Sequence, residues 1–141
     1  MASVPFHYVD LRAFCYATED ELRVERALRT FLPEGFEVER VENEGFHGDR
    51  ILVLSARVEN ADAVRHVLDV LADIDLDDIA AELDERIDDN CSLFLRLDKQ
   101  AAFKEQVERG EGLELRAKVE AYPAKKERAV ENATDALEAR S

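Results

Sequence analysis

The chain has 141 residues, 46% of them hydrophobic, enough for one domain with a buried core, and a single domain over 1–141 is expected. With 33 Asp and Glu against 19 Lys and Arg, the net charge of −14 excludes a nucleic-acid footprint spread over the whole surface. No apolar run is long enough to cross a bilayer, and residues 1–7 lack the basic start and apolar stretch of a leader, so a soluble cytoplasmic protein without membrane contact is expected.

Residues Phe6 to Tyr16 alternate, with Val9, Leu11, Ala13 and Cys15 on one side and Phe6, Tyr8, Asp10, Arg12, Phe14 and Tyr16 on the other, the period of a long first strand. Thr18 to Glu21 reads as a capping box for a helix from about Glu19 to Leu32, stopped by Pro33-Glu-Gly35. Two strands follow, Phe36 to Val41 and Arg50 to Val58, and the glycines between them predict a hairpin. Asn60 or Asp62 starts a second helix through Val64, Val67, Leu68 and Leu71, and a third carries Ile79, Ala80, Leu83 and Ile87.

Leu93, Leu95 and Leu97 alternate with Phe94, Arg96 and Asp98 in a fourth strand. There Asp98 can cap a short helical turn, which would set Lys99 and Gln100 at an outward-facing anion seat. A fifth strand runs from Leu113 to Tyr122, Pro123 ends it, and a helix with Ala129, Val130, Ala133, Ala136 and Leu137 closes the chain. The order β-α-β-β-α-α-β-(α)-β-α predicts an α+β fold, a largely antiparallel sheet of about five strands with helices packed on one face.

Charge is distributed unevenly. Residues 59–91 hold 12 acids and two bases, whereas 92–130 hold nine bases and seven acids and contain all five lysines. Scarce lysine beside abundant carboxylate suits a cytosol at molar salt, where a dense acidic surface keeps a protein hydrated, and a halophile's protein is expected.

If helices cover the aliphatic face of the sheet, the opposite face collects Phe6, Tyr8, Phe14, Tyr16, Phe94 and Tyr122 with Arg12, Arg96, Arg116 and Lys118. Rings and guanidinium groups on an open sheet suit stacking recognition of single-stranded RNA. Two structural readings compete with it: a homodimer interface, and cross-strand ion pairs of these cations with Asp10, Asp98, Glu114 and Glu120. Lys125 and Lys126 form a second basic patch at a helix start, where cations gain nothing from the helix dipole.

Signals for chemistry are weak. The carboxylates of Asp73 to Asp78 space like a calcium loop but place Asp78 where that loop requires glycine. His7, His47 and His66 show no metal-ligand spacing, and Cys15 and Cys91 read as small buried hydrophobes without a CxxC partner. No catalytic residue, metal or cofactor is expected.

Four segments, Val9 to Asp20, Glu44-Gly-Phe-His-Gly48, Arg96 to Ala102 and Ala121 to Lys125, together resemble the archaeal RNA-binding proteins described as predicted exosome subunits, in order and over nearly the whole chain. The resemblance implies RNA binding, with exosome or ribosomal components as partners and no catalysis. It also implies a double-stranded-RNA-binding-like or ribosomal-protein-like α+β fold, although the order read above is not the α-β-β-β-α of the double-stranded module. The residues expected to contact RNA are Arg12, Arg96, Lys99, Gln100, Arg116, Lys118, Tyr122, Lys125 and Lys126.

Overall fold

A computed structural model describes residues 6–16, 18–44, 50–72 and 76–138. Its elements are β1 (Phe6–Tyr16), α1 (Glu21–Arg29), β2 (Glu39–Glu44), β3 (Arg50–Val58), α2 (Ala61–Leu71), α3 (Leu76–Ala81), α4 (Leu83–Arg86), β4 (Ser92–Asp98), α5 (Lys99–Ala102), β5 (Gly112–Val119) and α6 (Lys126–Glu138). The strands form one antiparallel sheet in the order β2-β3-β1-β5-β4, with the first strand of the sequence at its centre.

The expected α+β architecture is therefore the observed one, and strand alternation explains it. Val9, Leu11, Ala13 and Cys15 of β1 are buried with Leu52, Leu54, Ala56 and Val58 of β3, and with the leucines of β4 and β5. Onto this face α2 places Val64, Val67, Leu68 and Leu71, while α6 places Ala129, Ala133 and Leu137. Each leucine so buried stabilises the fold by roughly 2 kcal/mol before the entropy of ordering it is counted. The alanines keep α6 close to its neighbours α3 and α4.

Several local expectations are corrected. Phe6 lies in the core rather than on the outer face, because the pairing of β1 with β5 slips by one residue between Phe6 and Tyr8 and reverses the side to which Phe6 points. Helix α1 begins at Glu21 with Asp20 as its cap, the Asp20 carboxylate accepting the Leu22 N–H at 3.0 Å. Thr18 is not the cap, and Glu21, the other member of the expected box, is paired with Arg40 at 2.7 Å. The second strand starts at Glu39, leaving Phe36 and Val38 packed against the core edge.

The third helix is two short ones broken at Glu82, after which Ile87 pairs with Leu93 beside β4. Strand β5 stops at Val119, three residues before Tyr122 and the cis Tyr122–Pro123 bond. Cys91 precedes β4 at φ 62°, and both cysteines are buried and unpaired with each other. The loop 45–49, with His47 and most of the Glu44 to Gly48 motif, and residues 73–75 of the calcium-like run lie outside the described residues.

Candidate functional site

The helices leave one face of the sheet uncovered, and register places its side chains in two rows. One row runs Arg57, Asp10, Arg116, Phe94 across β3, β1, β5 and β4. The next runs Glu39, Ser55, Arg12, Glu114, Arg96 across all five strands. Cross-strand neighbours on one face sit within side-chain reach, so residues from distant parts of the sequence become a single surface. These rows border a groove of about 800 Å³ lined by five arginines, Arg12, Arg57, Arg86, Arg96 and Arg116, against two carboxylates, Asp10 and Glu114.

Three of the groove arginines lie against rings, Phe94 in the groove lining and Tyr8 and Phe14 beside it. Arg57 lies 4.1 Å from the centre of the Tyr8 ring, Arg12 5.2 Å from that of Phe14, and Arg116 5.7 Å from that of Phe94. Such contacts hold each flat cation over a ring, where it presents its other surface outward. Arg57 also grips Asp10 with two parallel bonds, Nε at 2.8 Å and a terminal nitrogen at 2.9 Å, and this hydrogen bonding raises its pKa further above the ordinary arginine value. Arg12 is paired with Glu114. Arg96 and Arg116 form no ion pair among the described residues, and Phe94 is 43% exposed.

The nine residues expected at the site do not form one cluster. Arg12, Arg96 and Arg116 line the groove together, and Lys118 lies farther along β5 opposite Ser92, its ammonium donating to the Asn90 carbonyl. Tyr122, 83% exposed, lies beyond that end of β5, followed by Lys125 and Lys126 at the start of α6. Gln100 is exposed on α5, at the opposite end of β4. Seven strand residues separate the two ends by about 20 Å.

Lys99 departs most from expectation. It is not part of an outward-facing seat but is 6% exposed, donating from Nζ to Glu19 Oε1 at 2.7 Å and to the Phe14 carbonyl at 2.9 Å. Asp98 does cap the turn, its carboxylate accepting the Ala101 N–H at 3.0 Å, but the side chain that follows turns inward. Gly112, at φ 105°, allows this, because a Cβ there would lie 2.6 Å from Lys99 Cβ.

Two groove arginines were missed by the sequence reading. Arg57 had a usable signal, the alternation of Ile51, Val53, Ser55 and Arg57 against Leu52, Leu54, Ala56 and Val58. Arg86 had none, since it reaches the groove only through the bridge between Ile87 and Leu93.

Known proteins share this sequence pattern and fold. The model of a family described as RNA binding matches residues 8–122. The chain is 33% identical to the RNA-binding protein PAB1135 of Pyrococcus abyssi, with 94% of each sequence covered. Among solved structures, Mth689 of Methanothermobacter thermautotrophicus, a DUF54 protein, superposes with a TM-score of 0.79 at 40% identity, covering 94% of this chain and 98% of the other. AF2318 from Archaeglobus fulgidus superposes with a TM-score of 0.83 at 25% identity, covering 92% and 98%.

Proposed function

The chain belongs to this archaeal RNA-binding family, and on that premise we propose that the uncovered face of its sheet is the RNA-binding surface, the whole chain acting as one binding unit without catalysis. The observation that carries the reading is the row Arg57, Asp10, Arg116, Phe94 beside the row Arg12, Glu114, Arg96. Bases stack on aromatic rings and on guanidinium planes, and both are offered here across four strands. Lys118, Tyr122, Lys125 and Lys126 continue the surface at one end and Gln100 at the other.

The acidic remainder of the chain fits a cytosol at high salt. At about 1 M salt the Debye length is ~3 Å, so attraction between distant charges fades and short-range stacking carries the binding. Folding stability that rises between low and molar potassium chloride supports this setting, and a maximum at low salt contradicts it. Partnership with exosome or ribosomal components is implied by the family resemblance alone, and co-purification at native salt tests it.

Binding at the sheet face is tested by titrating oligouridylate and following backbone and Arg Nε–H signals by NMR. Signals of β1, β4 and β5 should move while those of α2 stay; shifts confined to the helices would overturn the assignment. A second reading rests on Val41, 51% exposed on the edge strand β2 and paired with Val53. It extends the apolar part of this face and suits a homodimer. Sedimentation of a dimer that dissociates on Phe94→Ser supports that reading, and a monomer at high concentration removes it.

A further inference from the structure

The five groove arginines are not equivalent. On the β3 and β1 side, Arg57 is committed to Asp10 by two bonds and Arg12 to Glu114. A phosphate approaching either would meet a carboxylate already in place, and like charges held close repel. On the β5 and β4 side the situation reverses. Arg96 stands opposite Glu114 in register, but that carboxylate is taken by Arg12. Arg116 stands opposite Asp10 in register, but Asp10 is held by Arg57.

Arg86 completes this half. Its neighbour Ile87 pairs with Leu93, which brings Arg86 to the Phe94 side of β4, and it lines the same groove as Arg96 and Arg116. It keeps a long ion pair with Glu82, a terminal nitrogen 3.7 Å from Oε1, while Arg109 holds the other oxygen, Oε2, at 2.5 Å. Arg86 Nε is buried and has no acceptor among the described residues. That Nε is closed off from the groove, so Arg86 meets a ligand through the terminal nitrogens of its partly exposed side chain.

We propose that Arg86, Arg96 and Arg116 form a seat for a phosphodiester group of the bound strand, while Arg12 and Arg57, stacked on Phe14 and Tyr8, present planes to its bases. The assignment rests on the RNA-binding reading of this face. It gives the groove a direction, with backbone along the β5 and β4 side and bases toward β1 and β3.

The test compares two probes, oligouridylate and an abasic deoxyribose-phosphate oligomer of the same length, on wild type, Arg86→Ala and Arg96→Ala. Wild type should bind both, and each variant should lose about fivefold or more on both probes, with a salt slope smaller by about one. Arg57→Ala should instead lose more on oligouridylate than on the abasic oligomer. Arg86→Lys, which keeps the charge, should recover most of the abasic binding, and unchanged thermal midpoints separate loss of contact from loss of fold. Abasic binding unaffected by Arg86→Ala and Arg96→Ala overturns the seat even if oligouridylate still binds. Wild type binding neither probe overturns the RNA-binding reading itself.

Discussion

Lys99 shows how a single residue can change its meaning between sequence and structure. A lysine after a capped turn reads as a solvent-facing cation, yet here its ammonium joins the Glu19 carboxylate to the Phe14 carbonyl and lies 5.1 Å from the centre of the Tyr16 ring. Lys99→Met keeps the apolar stem but removes the charge partner of Glu19 and the side-chain donor to the Phe14 carbonyl, and should lower unfolding free energy by about 2–3 kcal/mol in urea titration. Lys104→Ala, at an exposed turn, should change it by no more than about 0.5 kcal/mol. Cys15 gives a chemical check at the same scale. Burial, then the nearby Glu19 charge, raises its pKa, so little thiolate exists at neutral pH and thiol reagents should label it only as the protein unfolds. The burial of Cys15 was legible in the alternation of β1, whereas the Lys99 environment was not, because it is created by residues brought from separate elements.

Among the elements, the strands were the most legible and the helix ends the least. Period-two alternation identifies β1, β3, β4 and β5 from their own residues, and it assigns faces correctly for Arg12, Phe94, Arg96 and Arg116. It fails at Phe6, where one extra residue shifts the register, and the capping box read at Thr18 and Glu21 fails because Asp20 takes the cap and Glu21 pairs with Arg40. The connection from α5 to β5 depends on glycine. Gly112→Ala combines an unfavourable backbone angle with a collision against Lys99 Cβ and should cost about 2–3 kcal/mol, read as a lower urea midpoint with an unchanged slope.

The junction of α3 and α4 adds a pH signature. Hydrogen bonding from Arg109 lowers the Glu82 pKa below its ordinary 4.5. Its contribution is therefore present above that value and lost as pH falls through the lower folded one. Thermal midpoints of wild type and Glu82→Gln should differ at neutral pH and converge in acid.

At the scale of the molecule, the sheet separates two chemistries. Helices α2, α3 and α4 and their connections carry most of the acidic run 59–91, while the uncovered face gathers arginines from β1, β3, β4, β5 and α4. A chain of net charge −14 can thus hold a cationic groove without contradiction. The composition of the site was legible as residue types on an expected face, but its extent was not. The ends of β4 and β5 stand too far apart for Gln100 and Lys125 to join Arg96 in one contact, and the chain's long-range pairing supplies Arg57 and Arg86 instead.

That face is the RNA-binding surface proposed for the chain. Its most direct test is the affinity of Arg96→Ala/Arg116→Ala for single-stranded RNA at molar potassium chloride, beside Arg65→Ala on α2 as a control on the covered side. The double variant should bind at least about tenfold more weakly with an unchanged unfolding midpoint, in keeping with ~1 kcal/mol or more for each lost base or phosphate contact, and the control should match wild type. Affinity of the double variant within twofold of wild type would contradict the assignment of the sheet face.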